Sequence, residues 1–342
     1  MELGKVRNTR VVTIFIFLLF LLLVSFIINI SLGSVGIGIG EVVDIITKQL
    51  SGEGVHQAII WKIRFPRTLA AILGGASLAA AGLLLQVFFR NPIVGPFVLG
   101  ISSGATLMVG LVILAGFTFG MKTVSPFLIV GAAFLGAILV MAVVLLVSSK
   151  VKSIVTLLVI GLMVGYLCSA VTSLLTALAE KEKVHGFVMW SMGSFSGYTW
   201  QQVGIVAAIG IPLLLASFFI CKPLNAFLLG EDYAKSMGIN IKSFRFVIVS
   251  ISSVLAALIT AFTGPVAFIG MAVPHIARML FQTSDNRVLI PGTILLGGII
   301  TALCDLTARM LLSPVELPVS AITSFFGAPI VIMMLLKRRN AM

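Results

Sequence analysis

The stretch RFPRTLAAILGGASLAAAGLLLQVFFRNP, residues 64–92, decides the fold of this chain. A helix that crosses the hydrocarbon core of a bilayer needs about 20 mainly apolar residues, and the apolar run at 68–89 meets that length. Pro66 fixes φ and lacks an N–H, so it suits the first turn of a helix. Asn91 and Pro92 then indicate a tight turn. The stretch therefore predicts a membrane-spanning helix over 68–89.

Small residues and one amide distinguish the inside of this predicted span. Small side chains let helices approach closely in lipid, where no hydrophobic force drives helices together. A polar group within a span needs a hydrogen-bond partner or water, so Gln86 is expected to face the helix bundle or a cavity. The small-residue face comprises Ala76, Ala79, Ala80, Ala81 and Gly82.

The composition of the whole chain excludes a soluble globular protein. Of 342 residues, 59% are hydrophobic and 10% are charged, and the mean hydropathy is +1.20. Soluble domains carry about 25% charged residues. The net charge is +12, and the basic residues lie between the apolar runs. This distribution indicates the loop-charge bias that orients membrane proteins rather than a nucleic-acid partner.

The fold class predicted for the chain is an all-α integral membrane protein with about ten transmembrane helices, in one transmembrane domain over residues 1–342. Basic residues favour cytoplasmic placement of both termini, because 15 of the 23 Lys and Arg residues then lie on the inner side and 8 on the outer side. The predicted spans are 11–31, 68–89, 93–115, 124–148, 153–178, 203–220, 246–263, 266–281, 289–308 and 317–336.

Four of the eight basic residues on the predicted outer side, which contradict the charge bias, lie at the ends of two spans. Lys62, Arg64 and Arg67 cluster at the mouth of the second span, and Arg309 lies at the outer end of the ninth. An acidic docking partner would explain them. The alternative is that these side chains extend to lipid headgroups. Asp305 and Arg309 lie four residues apart and are expected to pair on one helix face.

The longest polar segment on the predicted inner side, residues 222–245, predicts a short helix between Gly230 and Gly238. Glu231 and Asp232 would lie in its first turn, where the helix dipole favours acidic groups, and Gly238 fits the position just after its end. Apolar Leu229 beside this helix suits docking into a groove of a partner. The alternative is a helix that lies on the membrane surface.

The polar residues predict no catalytic or metal site, and no cofactor bound by this chain. The three histidines are dispersed, and the cysteines show no metal-binding spacing. Gly264-Pro265 and the glycines and prolines that follow indicate broken helices. An intramembrane enzyme is disfavoured, since no HExxH motif occurs and Ser102 and Ser103 lack a nearby base. An ion-coupled secondary transporter is also disfavoured, since only Asp305 is an acidic residue near a span interior.

Eight motifs that follow one another along the chain resemble those of the FecCD family of ABC importer permeases. The resemblance covers about residues 11–339. The motifs are RFPR at 64–67, QVFFRNPIVGP at 86–96, LGISSGA at 99–105, WSMGSFSGYTW at 190–200, LGEDYAKSMGI at 229–239, GPVAFIGMAVPHIAR at 264–278, DNRVLIPG at 285–292 and ELPVSAITSFFGAP at 316–329.

The resemblance implies the partners of the chain. It implies ten helices per subunit, a second permease subunit as homodimer or heterodimer, two ATPase subunits that bind ATP, and an extracytoplasmic substrate-binding protein. Arg64, Arg67 and Arg309 match the arginines that dock the binding protein. No GxxxxGK[ST] motif occurs here, so this chain cannot hold ATP phosphates in that way. The segment that contacts the ATPase matches Leu229, Gly230, Glu231, Ala234 and Gly238.

The resemblance also implies the transport reaction, which is ATP-driven alternating access in the cytoplasmic membrane of a prokaryote. Iron-siderophore complexes are the commonest substrate in the family, so a ferric siderophore is expected, with cobalamin and heme as alternatives. Residues expected to line the translocation path, on polarity and position, are Gln86, Ser102, Ser103, Gly161, Met163 and Ser169.

Overall fold

The structure is a computed structural model that describes residues 2–33, 35–47, 54–115, 125–150 and 154–339. Within these ranges every regular element is a helix. A π-helical segment, Ile59–Arg64, leads directly into α4, and a 3₁₀ turn, Pro96–Leu99, precedes α5. The α-helices are α1 (Glu2–Ser31), α2 (Ile39–Thr47), α3 (Val55–Ala58), α4 (Phe65–Phe89), α5 (Ile101–Leu114), α6 (Pro126–Lys150), α7 (Ile154–Leu178), α8 (Lys181–Ser191), α9 (Trp200–Phe219), α10 (Cys221–Leu228), α11 (Glu231–Ser236), α12 (Ile241–Thr263), α13 (Ile269–Phe281), α14 (Asn286–Met310) and α15 (Val319–Arg339).

Seven helical segments in the described ranges are long and apolar enough to cross a membrane. Three shorter apolar helices, α5, α13 and the part of α15 up to Met333, coincide with the third, eighth and tenth predicted spans. The structure thus confirms a multi-span, all-helical protein, while the total of ten spans and the side of each terminus stay predictions. The seven segments are Thr9–Ser31, Val55–Phe89, Pro126–Val147, Val155–Leu178, Trp200–Phe219, Ile241–Thr263 and Asn286–Met310.

The second span begins earlier than its sequence predicts. The chain is continuously helical from Val55 through the π-helical segment into α4, so Arg64 and Arg67 lie within a helix rather than at the start of one. Pro66 does not break this helix, because it stands immediately after the π-helical segment, where the regular i→i−4 hydrogen-bond pattern is already interrupted. The two charges are accommodated by partners distant in sequence, as described below.

Glycine-to-glycine contacts set how closely the central helices pack. A Cβ atom at Gly75 of α4 would overlap the carbonyl oxygen of Gly297 in α14, and one at Gly82 would overlap that of Gly270 in α13. The predicted small-residue face of α4 is buried at Ala76 and its neighbours. Close backbone approach through small residues is the expected mode of helix packing in lipid.

Burial differs sharply among the spans. In the most apolar window of Val55–Phe89, 83% of the residues are buried, against 11% for Thr9–Ser31 and 28% for each of α7 and α9. Helix α4 packs against α9, α12, α13 and α14. It is therefore the central helix of the subunit, whereas α1, α7 and α9 leave apolar faces for lipid or another subunit.

The helix breaks predicted around Gly264 are confirmed. Helix α12 ends at Thr263, and α13 starts at Ile269 after Gly264 and Phe268 adopt positive φ. The backbone N–H of Ser194 donates to the carbonyl of Thr263 over 2.8 Å, and the hydroxyls of Tyr198 and Thr263 lie 2.7 Å apart. Irregular backbone in this region is therefore satisfied by protein groups, as membrane depth requires.

Candidate functional site

Three arginines meet at the end of α4 that is predicted to face outward; we call Arg64, Arg67 and Arg309 the arginine cluster. Arg67 binds the Asp305 carboxylate through two nitrogens, with Nε 2.9 Å from Oδ2 and Nη2 3.0 Å from Oδ1. Its Nη1 donates to Glu316 Oε1 over 2.7 Å. Asp305 is fully buried, whereas the Glu316 side chain is 43% exposed. Arg67 thus has one buried and one accessible carboxylate partner.

The other two arginines bind the carboxyl end of α1. Arg64 Nη1 donates to the carbonyls of Ile30 and Ser31, each over 2.7 Å. Arg309 Nη2 donates to the carbonyl of Asn29 and, over 3.0 Å, to its Oδ1. The last carbonyls of a helix have no partner within it, and cationic groups there also favour the helix dipole. Arg64 and Arg309 therefore cap α1 and fix it to α4 and α14.

These contacts correct one expectation of the sequence. Asp305 forms its ion pair with Arg67 and not with Arg309, although Arg309 lies on the same helix face. The three arginines are only 3–7% exposed, so they are part of the packing of the subunit. Their role as docking residues is a prediction that this geometry leaves open.

The cluster nevertheless keeps capacity for a further acidic group. The cluster has three guanidinium groups but only two carboxylates, those of Asp305 and Glu316, and Arg67 binds both, which leaves excess positive charge at this end of the protein. The buried Nε of Arg309 has no hydrogen-bond partner in the described part of the chain. A buried donor without a partner is unfavourable, so a carboxylate that reached it would be stabilised.

The predicted coupling segment forms two short helices at the opposite end of α4. Helix α11 has Glu231 and Asp232 in its first turn. Its end is a Schellman motif, in which the N–H of Ile239 bonds the carbonyl of Ala234 and the N–H of Gly238 bonds that of Lys235. Gly238 has φ +81°, as the predicted position after the helix end requires.

Ion pairs also stabilise the exposed face of α11. Lys235 Nζ lies 3.3 Å from Asp232 and 3.4 Å from Glu231. The hydrogen bond to Asp232, followed by that to Glu231, raises the pKa of Lys235 above its ordinary value, which already keeps an exposed lysine charged at neutral pH.

One apolar face of the coupling segment is exposed, and its other face packs against the spans. Leu229 is 70% exposed and Met237 62% exposed, whereas Ala234 and Phe227 are fully buried. The Phe227 ring packs between Phe88 of α4 and Phe244 of α12, at centroid distances of 5.9 and 5.2 Å. A movement imposed on the exposed face would therefore reach α4 and α12 directly.

Asn225 connects the same segment to α14. Its Nδ2 lies 2.6 Å from Asp285 Oδ1, and its Oδ1 accepts from the backbone N and from Nδ2 of Asn286, each over 2.8 Å. Asp285 is the N-cap of α14. The coupling segment is thus bonded to the first turn of the helix whose other end carries Arg309.

The residues predicted to line a path lie in two different environments. Gln86 is buried between helices, with Nε2 3.0 Å from the Met271 carbonyl and Oε1 accepting from Arg278 Nη1 over 2.7 Å. Ser102 is buried, and Ser103 is half-buried near Gly165 of α7. In the isolated subunit Gln86 lines a cavity beside the coupling segment, while Ser102 borders a smaller one.

The predicted lining residues of α7 divide between its two faces. Gly161 is buried against Leu99 and Gly100, where a Cβ would tighten the contact. Met163 is 53% exposed, and Ser169 is exposed on the open side of the helix. The structure does not bring these residues together with Gln86. Whether the exposed side of α7 faces a path remains a prediction.

Two site residues were missed by the sequence analysis. Asn29 carried the same signal as Gln86, an amide within an apolar run, whereas Asn225 carried none. Asn29 lies in an apolar run, and its contact to Arg309 spans 280 residues. Asn225 had an unremarkable loop sequence around it, and its contacts cross 60 residues. Among the described residues, no group of three His, Cys, Asp or Glu side chains could hold a metal ion.

Comparison with known proteins gives consistent results across the chain. The model of the FecCD transport family matches residues 21–337. A protein of Methanocaldococcus jannaschii assigned as an ABC transporter permease is 33% identical over 97% of each chain. The vitamin B12 import system permease protein of Klebsiella pneumoniae is 34% identical over 94% of this chain and 92% of its own.

A solved structure agrees with these relatives. It shows an inward-facing conformation of a transporter assigned to the metal-chelate type of ABC transporters. The two chains are 30% identical, superpose with a TM-score of 0.84, and the match covers 95% of this chain and 99% of the other. This chain belongs to the FecCD transport family and is an ABC importer permease of that type.

Proposed function

We propose that this permease carries a metal chelate across the cytoplasmic membrane of a prokaryote by ATP-driven alternating access. It would do so with a second permease subunit, two ATPase subunits and an extracytoplasmic substrate-binding protein. The observation that carries this proposal is the direct connection between the coupling segment and the arginine cluster. Helices α4 and α14 each have one end at the coupling segment and the other in the cluster.

Coupling would begin at the exposed apolar face of the segment. Leu229 and Met237 would enter a groove of the ATPase, since large apolar side chains exposed next to a polar helix mark partner contacts. Because Phe227 and Asn225 bind this segment to α4, α12 and α14, a movement of the ATPase would move those helices as a unit. A packed interface that has two arrangements converts small shifts into larger transitions.

Docking would take place at the arginine cluster. The excess positive charge there would attract acidic groups on the lobes of the binding protein, which also speeds encounter. Because Arg67 already binds Glu316, a carboxylate that binds Arg67 would replace Glu316. Asp305 would remain in place as the buried partner.

Two substrates fit this proposal, and each has its own support. The ferric siderophore is the expectation from the family resemblance, because it is the commonest substrate in that family. Cobalamin is favoured by the relatives, since several proteins 32–34% identical to this chain are named as vitamin B12 import permeases. Both are metal chelates, in agreement with the type assigned to the similar solved structure.

ATP-dependent uptake into vesicles tests the proposal. The chain would be reconstituted with its ATPase and binding protein, and labelled cobalamin, ferric siderophore and heme would be offered separately. We expect uptake of one ligand that requires ATP, the ATPase and the binding protein. Uptake of none of them, from vesicles whose ATPase is active, would contradict the metal-chelate proposal.

The buried ion pair argues against an ion-coupled transporter. A carboxylate that relays protons or sodium faces a cavity or another relay group, whereas Asp305 is fully buried and held by Arg67. Glu231→Lys provides the functional contrast, because it reverses a charge in the first turn of the coupling helix. Uptake that persists in this variant and without the ATPase would overturn the proposed coupling.

A further inference from the structure

A cavity of about 600 Å³ opens beside the coupling segment, at the ends of three spans. Its wall includes Arg90, which is the C-cap of α4, Arg278 in the last turn of α13, and Asn286 at the start of α14. The cavity therefore lies at the depth where spans leave the membrane, on the side that the charge bias places in the cytoplasm. Its volume is within the range of about 300–1,000 Å³ typical of ligand sites.

The polar part of the cavity is cationic. Its charged lining residues are Arg90 and Arg278, and none of the described residues that line it is acidic. Arg278 is held in place by its bond from Nη1 to Gln86 Oε1 over 2.7 Å. Arg90 is held by its bond from Nη2 to the Phe227 carbonyl over 2.9 Å, with its guanidinium over the Phe227 ring. Guanidinium groups fixed in this way are suited to phosphate oxygens.

The rest of the cavity is apolar. Leu228, Met279 and Leu289 contribute to its wall, and Met279 is 57% exposed and Leu228 38% exposed. A fully hydrated inorganic anion gains nothing from such a surface. A molecule with a phosphate group and attached hydrocarbon would match both parts of the wall.

From these observations we propose that the cavity binds the phosphate headgroup of an anionic phospholipid of the inner leaflet. The phosphate would lie between Arg90 and Arg278, and acyl carbons would contact Leu228 and Met279. Basic pockets between spans on the cytoplasmic side are a known mode of lipid recognition. The proposal does not depend on which substrate the permease carries.

The position of Arg90 gives the bound lipid a consequence for coupling. The same guanidinium that lines the cavity donates to Phe227, the residue that packs between α4 and α12. A phosphate on Arg90 would neutralise the charge next to this contact. Lipid occupancy would thereby change how firmly the coupling segment is held to the spans.

Native mass spectrometry of the purified permease–ATPase complex tests the proposal. The complex would be titrated with phosphatidylglycerol and, separately, with phosphatidylcholine. We expect preferential retention of phosphatidylglycerol, reduced roughly tenfold by Arg90→Gln, because hydrogen bonds to charged groups are lost. Arg278→Gln should act in the same direction. The control is Arg287→Gln, which removes the same charge from an exposed residue outside the cavity wall.

Three results would overturn the proposal, and each identifies a different alternative. Equal retention of the two lipids by the wild-type complex would exclude a headgroup site. Displacement of phosphatidylglycerol by millimolar inorganic phosphate, with the same sensitivity to Arg90→Gln, would assign the site to free phosphate. Loss of the ATPase from the Arg90→Gln complex with unchanged lipid retention would assign the cavity to the ATPase interface. Uptake by the wild-type complex tests the proposed transport function separately, whichever of these results is obtained.

Discussion

The two ends of α4 both carry arginine, but the protein uses them differently. At one end Arg67 is buried and neutralised by Asp305 and Glu316. At the other end Arg90 is exposed, held by a carbonyl and an aromatic ring, and borders a cavity without a lining carboxylate. Buried charges require partners, so the first end is fixed by its ion pairs. The second end keeps charge available for a ligand.

Removing the buried partner of Arg67 should cause the largest loss of stability at either end of α4. Asp305→Ala leaves a guanidinium buried with only the half-exposed Glu316, and loss of one partner of a buried pair lowers stability by about 3–5 kcal/mol. We expect a large fall in the thermal unfolding temperature of the detergent-solubilised protein. The double variant Arg67→Met, Asp305→Leu removes both charges and should recover much of that loss. Equal destabilisation by the two variants would show that the ion pair is not the cause.

The middle of α4, which joins the two ends, is the next most sensitive region. A Cβ at Gly82 would overlap the Gly270 carbonyl, so Gly82→Ala must push α4 and α13 apart. Overpacking of this kind lowers stability by about 1–3 kcal/mol. Gly204→Ala is the matched control, because nothing lies within 4 Å of a Cβ at that helical position. Thermal unfolding of the two variants measures the difference, and similar values would contradict the close contact.

The coupling segment should show a smaller effect at Gly238. This residue has φ +81°, and an L-residue in the left-handed region is disfavoured by about 1–2 kcal/mol. Gly238→Ala should therefore weaken the end of α11 and reduce the amount of ATPase that co-purifies. Gly186→Ala, at an open position in α8 with no positive φ, should leave co-purification unchanged. An equal effect of both changes would exclude a specific role for the helix end.

Local features of this fold were predictable from the sequence because their causes lie within a few residues. Gly230 and Gly238 bracket α11 as predicted, and the break at Gly264 follows from glycine and proline chemistry. The small-residue face of α4 also predicted its close packing. In each case one backbone rule, or one repeated residue type, determines the result.

Distant contacts could not be predicted in the same way. The partner of Asp305 was predicted wrongly, because Arg309 lies only four residues away on the same helix face whereas Arg67, its actual partner, lies 238 residues away along the chain. The early start of the second span was missed for the same reason. The charges of Arg64 and Arg67 indicate the mouth of a span unless their partners on α1 and α14 are known. Those partners are set by tertiary packing.

Substitution of Glu316 should have the smallest effect on stability, so it tests docking of the binding protein separately from folding. Glu316→Gln removes the accessible partner of Arg67 but leaves Asp305 in place. An ion pair with one half-exposed partner contributes about 0–1 kcal/mol, so unfolding temperature should change little. If binding-protein carboxylates replace Glu316, the variant should bind that protein severalfold more tightly, as measured by surface plasmon resonance on the reconstituted complex. Direct reversal of Arg67 cannot make this distinction, since it would also break the buried pair. Unchanged affinity in Glu316→Gln, with the fold intact, would mean that the binding protein does not use Arg67.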